Sequence, residues 1–210
     1  GMTSFGEHWE QGFRDLVVEA GLKAIVDAGI SGDRIDAGYV GTMASGRLIG
    51  QEHIGALIAD YMGLTPIPVT RVEGACASGS LALRQGFMAV ASGIHDIVVV
   101  GGVEKMTETG GTNTTSHLAS AADADYEAAQ GLSFVALNAL IMKRYLHEFG
   151  WKHNDFAQFS INAHANGAKN PNARLQEAIT QKDYHRARMV ADPINLLDAS
   201  PIGDGAAAII

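Results

Sequence analysis

The stretch Arg71-Val72-Glu73-Gly74-Ala75-Cys76-Ala77-Ser78-Gly79-Ser80 decides how the rest of the chain is read. It follows a short Ile-Val segment that is bracketed by Pro66 and Pro68 and runs to Val72, and it precedes apolar residues at helical spacing from Ala77 to Ala91. A strand, a glycine-bearing turn and a helix are predicted in that order, with the only cysteine of the chain at the first turn of the helix. Unpaired N–H groups and the helix dipole at such a position favour a thiolate over a thiol, and Gly74 and Gly79 leave room for a substrate or another backbone to come close. Cys76 reads either as a nucleophile of that kind or as a small buried hydrophobe. Beyond the helix, which ends near Gly93, Asp96-Ile97-Val98-Val99-Val100-Gly101 is a continuous apolar run, the pattern of a strand buried on both faces of a parallel sheet.

Working outward, apolar residues at Phe13, Leu16, Val17, Ala20 and Ala24 predict a helix over 10–28, stopped at Gly29. A strand is expected over 37–43, a glycine-bearing loop at Gly46 and Gly50, and a second helix over 51–62. Residues 105–130 are dominated by Thr, Ser, Gly, Asn and Ala with no evident period, and read as a long functional loop. Helices follow at 132–145 and 155–169, the second capped by Asn154 or Asp155 and stopped by Asn170-Pro171. Residues 185–198 fit neither state, and 204–210 read as a buried strand of small residues. This alternation argues an α/β layered fold.

Composition narrows the function. The chain has 210 residues, 47% hydrophobic and 18% charged, with a net charge of −8 and no basic run to follow a phosphate backbone, so no nucleic-acid partner is expected. The apolar runs fall far short of the roughly 18 residues of a membrane-spanning helix, and the N-terminus lacks a signal-peptide pattern; no membrane partner is expected. One cysteine cannot close an intramolecular disulfide, which points to a reducing, cytoplasmic setting. Glycine, 25 of 210 residues, stands well above the roughly 7% of ordinary usage, as tight turns or close backbone approaches require.

The run from Val72 to Leu83 around Cys76 and the run Ile97-Val-Val-Val-Gly-Gly-Val-Glu-Lys-Met106 together resemble the thiolases, in particular the branch with the archaeal acetyl-CoA acetyltransferases and the thiolase domain of sterol carrier protein. Gly1-Met-Thr-Ser-Phe-Gly6, Asn162-Ala-His-Ala-Asn-Gly-Ala-Lys-Asn-Pro171 and Ser200-Pro-Ile-Gly-Asp-Gly-Ala-Ala-Ala208 fit the same family in the same order. The resemblance implies a thiolase-like layered α/β/α fold whose N-terminal half has a mixed, largely parallel sheet. It also implies acyl transfer between coenzyme A thioesters, with Cys76 as the acyl-carrying nucleophile and its own N–H in the oxyanion hole. Met106 and Gly79 are the expected substrate contacts, the first through an acyl pocket shared with residues 107–130. No cofactor beyond the coenzyme A thioesters and no metal site are implied. A homodimer or homotetramer is, paired through the strand that follows the nucleophile's helix, with HMG-CoA synthase as a possible further partner.

In that family a histidine that activates the nucleophile, an Asn or His that holds a water, and commonly a second cysteine lie in the C-terminal half. The expectation is therefore that residues 1–210 form the N-terminal domain, without its first strand and without the C-terminal half, and with a loop insertion at about 105–185. Gly1-Met2 reads alternatively as an expression scar before a true start. A half chain of this kind also admits a non-catalytic reading, as an acyl-CoA-binding or scaffold subunit.

Other candidates carry less. The eight histidines show no metal-ligand spacing; His164 reads as packing or capping, His117 as solvated and His95 as a strand-end residue. Gly101-Gly102 matches neither the Rossmann nor the Walker pattern, and Glu104-Lys105 reads as an ion pair at a strand end. Gly74-Ala-Cys76-Ala-Ser78 approaches a hydrolase nucleophile elbow, but Ser78 stands where that motif has glycine.

Overall fold

The computed structural model describes all 210 residues, in two compact units: residues 1–110 with 203–210, and residues 111–202. In chain order the elements are α1 (Phe13–Ala28), β1 (Ala37–Gly41), α2 (Ser45–Leu48), α3 (Ile54–Tyr61), β2 (Val69–Val72), α4 (Ser78–Ala91), β3 (Val98–Glu104), α5 (Gly111–Ala119), α6 (Phe134–Phe149), α7 (Ala157–Gly167), α8 (Gln181–Arg186), β4 (Met189–Ala191), β5 (Ile194–Asn195) and β6 (Gly205–Ile209). No helix is long and apolar enough to cross a membrane.

The first unit is an α/β/α sandwich around a sheet of order β2-β1-β3-β6, in which β2, β1 and β3 run parallel and β6 antiparallel. The mixed, largely parallel sheet expected from the sequence is thus present. Alternation along the strands sorts its residues onto two faces. Val40, Val103, Ala206 and Ala208 pack with Leu16, Val17, Ala20 and Ala24 of α1 and Ile54 and Ile58 of α3. Ala37, Val98 and Val100 pack with Ala82 and Ala89 of α4. The α1 stripe is the one read from sequence, and the helix ends where Gly29 takes a left-handed conformation.

Three expectations change. The strand expected over 96–101 runs from Val98 to Glu104, because Gly101 and Gly102 lie opposite Ala208 and Ala207 and so continue the ladder. That strand is hydrogen-bonded on both sides, to β1 and to β6, and has no free edge; pairing of two sheets through it is therefore excluded, and the open edge is β2. Finally, the glycine-bearing loop after β1 contains the short helix α2, so the second predicted helix starts later, at Ile54. On the far side of β6, Met2 and Gly6 form antiparallel bridges with Ala207 and Asp204.

Residues 111–202 hold helices α5 to α8 and the β4–β5 hairpin. The expected insertion at about 105–185 falls mostly within this unit, but 105–130 is not a structureless loop, since 111–119 is helical. Helix α5 escapes a periodicity reading because Thr114 is its only buried residue. Helix α6 is longer than predicted, capped by the Ser133 hydroxyl and ended by a left-handed Gly150. The ambiguous stretch 185–198 contains the end of α8 and the small hairpin.

One glycine sets the distance between the sheet and α4. A Cβ on Gly41 would stand 2.5 Å from the backbone carbonyl of Ser78, whereas one on Gly79, in the same helical turn, would meet nothing within 4 Å. Gly41→Ala is expected to cost about 1–3 kcal/mol through overpacking, and Gly79→Ala to be neutral or slightly stabilising through helix propensity. Urea denaturation midpoints of the two variants check the difference in sign.

Candidate active site

Three loops meet at the carboxyl ends of the adjacent parallel strands β2, β1 and β3, the position at which α/β sheets bind ligands. They are residues 73–77 after β2, 42–44 after β1 and 105–110 after β3. Their spacing is fixed by the ladder, where Gly41 faces Val72 on one side and Gly102 on the other.

Cys76 lies in the first of these loops, in a 3-10 turn over Ala75–Ala77. It therefore precedes α4, which starts at Ser78, and does not sit in the helix's own first turn. The turn is held by its neighbours. The Ala75 N–H donates to Glu73 Oε1 at 2.6 Å, the Gly74 N–H to Ser78 Oγ at 3.0 Å, and Ser78 Oγ to the Ala75 carbonyl at 2.6 Å. Ala75 has φ 49°, a left-handed conformation that costs a residue with a Cβ about 1–3 kcal/mol and that clusters at functional sites. The thiol is free and exposed, which removes the reading of Cys76 as a buried hydrophobe. Of the two flanking glycines, Gly79 borders open space, while the room beside Gly74 is taken by Leu81.

The loop after β1 is clamped by charges from both neighbouring strands. Glu104, the last residue of β3, accepts from Thr42 Oγ1 at 3.1 Å, the Met43 N–H at 2.8 Å and the Ala44 N–H at 3.4 Å. Arg71 of β2 donates to the carbonyls of Thr42 and Met43 and pairs with Glu52. The anion holds the N–H groups and the cation the carbonyls of one short peptide stretch. Sequence reading missed this arrangement; its one signal was a charge at the end of each of two apolar strands, where a partner is required.

Glu104 and Lys105 do not form the ion pair expected from sequence. Lys105, 1% exposed, reaches Asp204 Oδ2 at 2.7 Å, Glu108 at 3.0 Å, Thr107 Oγ1 at 3.2 Å and the His8 carbonyl at 3.0 Å. Asp204, 0% exposed, also accepts the N–H groups of His8, Met106 and Thr107 and the Thr107 hydroxyl. Burial would raise the Asp204 pKa, but the hydrogen bonds from Lys105 and Thr107 and from the Met106 and His8 backbone lower it to about 2. Burial pulls Lys105 down, and Asp204 and Glu108 more than offset it, so its pKa is raised. Through this pair Met106 is tied by its backbone at 2.7 Å to the residue that precedes β6.

The histidines take no part in these three loops. His164 Nδ1 lies 3.0 Å from the Glu177 carbonyl, and His117 is on α5, half-buried with Nδ1 shielded from solvent, and so only partly the solvated side chain expected. His95 precedes β3 and lies near the Asp36 carboxylate, which accepts from the Asp96 and Ile97 N–H groups.

Comparison with known proteins agrees with the α/β fold. A family model described as "Thiolase, N-terminal domain" matches residues 1–210. The chain is 52% identical to the acetyl-CoA acetyltransferase of Methanothermobacter thermautotrophicus over 208 residues, covering 99% of this chain and 54% of that protein. It is 50% identical to the acetyl-CoA acetyltransferase of Methanocaldococcus jannaschii, covering 100% and 53%. Among solved structures, the "Ltp2-ChsH2(DUF35) aldolase" superposes with a TM-score of 0.80 at 27% identity, over 99% of this chain and 52% of that one. The chain spans about half the length of these curated relatives.

Removing the Asp204 charge tests the hub. Asp204→Asn leaves the buried Lys105 with the part-exposed Glu108 as its remaining carboxylate partner and is expected to cost about 3 kcal/mol. Because the folded pKa lies below the unfolded one, the wild-type contribution, about 2 kcal/mol, is complete above the ordinary carboxylate value. It is lost as pH falls from about 4 toward about 2. Urea midpoints across that range should fall for the wild type more steeply than for Asp204→Asn.

Proposed function

The chain belongs to the thiolase family, and on that premise we propose that Cys76 is the nucleophile of acyl transfer between coenzyme A thioesters, with acetyl-CoA and acetoacetyl-CoA as the substrate pair. The observation that carries this reading is the free, exposed thiol in a left-handed turn at the carboxyl ends of parallel strands. In the cleavage direction the Cys76 thiolate attacks the 3-keto carbonyl of acetoacetyl-CoA. The bond between C2 and C3 breaks, its electron pair takes a proton, acetyl-CoA leaves, and the acetyl group stays on sulfur. The thiol of a second coenzyme A then attacks the acyl-cysteine and releases another acetyl-CoA. Sulfur suits both halves because it is a good nucleophile and a good leaving group.

The Cys76 N–H is among the donors that a 3-10 turn leaves without an internal acceptor, and it suits an oxyanion. Gly79 keeps the space beside the turn open, and Met106, following β3, lines the acyl side of the site; both are substrate contacts in this reading. No cofactor beyond the coenzyme A thioesters enters. The working form is a cytoplasmic homodimer or homotetramer, for which the open edge of β2 provides the pairing strand.

A second reading is favoured by two of the related proteins. The solved neighbour is named as a pairing of Ltp2 with ChsH2(DUF35), and a relative from Thauera aromatica, 29% identical, is a "Benzoylsuccinyl-CoA thiolase subunit". In this reading the chain serves as an acyl-CoA-binding subunit that works beside another protein, HMG-CoA synthase being one such partner.

Incubation with acetoacetyl-CoA, followed by intact mass and peptide mapping, separates the two. The transferase reading expects one acetyl group on the peptide containing Cys76, its loss in Cys76→Ser, and a fall in turnover of at least about a thousandfold in that variant. Tight binding of the thioester with no adduct on Cys76 would overturn it in favour of the binding subunit.

A further inference from the structure

Both peptide groups that flank Ala75 are held by side chains. On one side the Ala75 N–H donates to Glu73 Oε1 at 2.6 Å. On the other, the Ala75 carbonyl accepts from Ser78 Oγ at 2.6 Å and from the Ser78 N–H. That carbonyl shares a peptide plane with the Cys76 N–H, and because the peptide is trans the two point in opposite directions. A hydroxyl that grips the carbonyl therefore aims the N–H.

Counting hydrogens fixes the direction of each bond. The Gly74 N–H, 3.0 Å from Ser78 Oγ, can only donate, and the Ala75 carbonyl can only accept, so the one hydroxyl hydrogen of Ser78 lies on the Ala75 oxygen. Ser78 is buried, which shields both contacts from water. The Ala77 N–H donates to the Gly74 carbonyl at 3.0 Å, whereas the Cys76 N–H meets no backbone acceptor. Ala75, at φ 49°, lies in the left-handed region that residues with a Cβ avoid. Without the hydroxyl, relaxation of Ala75 toward negative φ turns the following peptide and carries the Cys76 N–H with it.

We propose that Ser78 is a positioning residue for acyl transfer: by holding the peptide between Ala75 and Cys76, it keeps the Cys76 N–H aimed at the oxygen of the carbonyl that the thiolate attacks. This rests on Cys76 as the acyl carrier. Attack places negative charge on that oxygen, and a donor already in place stabilises it without reorganisation. The hydroxyl acts twice, since donation to the Ala75 oxygen also polarises the same peptide and strengthens its N–H as a donor. Glu73 serves the preceding peptide, and Glu104 and Arg71 serve the loop after β1, so Ser78 supplies the side-chain bond to this one.

The test compares two reactions of the same sulfur: single-turnover acetylation of Cys76 across acetoacetyl-CoA concentrations, and alkylation by iodoacetamide, a displacement that forms no oxyanion. Ser78→Ala should lower the limiting acetylation rate about 10- to 100-fold, with the half-saturating concentration and the alkylation rate within about twofold of wild type. Acetylation and alkylation falling together would show a merely structural role, and an unchanged acetylation rate would show none; either outcome sinks the proposal. No acetylation of a wild type that iodoacetamide still alkylates is a different result, which removes the transferase reading and the role of Ser78 with it. Should Ser78→Ala fail to fold, NMR of the wild type decides. A Ser78 hydroxyl hydrogen protected from exchange, with a Cys76 amide that moves downfield on acetylation, supports the assignment; a freely exchanging hydroxyl or an unmoved amide refutes it.

Discussion

The ion pair of Lys105 with Asp204 is the constraint on which the first unit depends. It joins the end of β3, the start of β6 and the N-terminal segment at His8, three pieces far apart in the chain. Two buried charges lose more by desolvation than their attraction alone returns. Here the remaining capacity of both is filled, the carboxylate by backbone N–H groups and a hydroxyl, the ammonium by a carbonyl, a hydroxyl and Glu108. An apolar pair of equal volume would leave those backbone groups unpartnered, so the charges are tied to the geometry of the strand ends.

That geometry reaches the candidate site through the sheet. With β3 fixed at its carboxyl end, Glu104 can hold the loop after β1, and Arg71 of β2 grips the same loop from the opposite side. Gly41 then lets the first turn of α4 lie against the end of β1, and the turn bearing Cys76 is packed where the three strands end. The thiol is exposed while the backbone just before it is tied at Gly74 and Ala75, which is the combination a nucleophile on a rigid support requires.

The parts of this arrangement that were legible in the sequence are those set by local pattern. The α1 stripe, the β-branched run of β3, the small-residue strand β6 and the turn around Cys76 each follow from residue order alone. What escaped depends on residues distant in sequence. Glu104 and Asp204 could be seen as charges beside buried strands, but their partners, 61 and 99 positions away for Met43 and Lys105, are chosen by the fold. Gly101 and Gly102 looked like the end of a strand because a lone sequence does not show that alanines lie across from them. The placement of β3 inside the sheet, with β2 left at the edge, is likewise a property of topology.

The two units also differ in what holds them, and this accounts for the uneven legibility. Both apolar core clusters lie in the first unit, whose helices and strands therefore carry clear periodicity. In residues 111–202 the buried apolar residues are few, Ala139, Ala157, Tyr184 and Ile194, while Leu140, Ile141, Phe149 and Phe159 stay exposed. Order there comes from polar contacts instead: caps at Ser133 and Thr180, the Asn195 side chain and the ring of His153, Tyr184 and Asp198. Such contacts leave little trace in hydrophobic pattern, so a segment can look like a loop and still be folded.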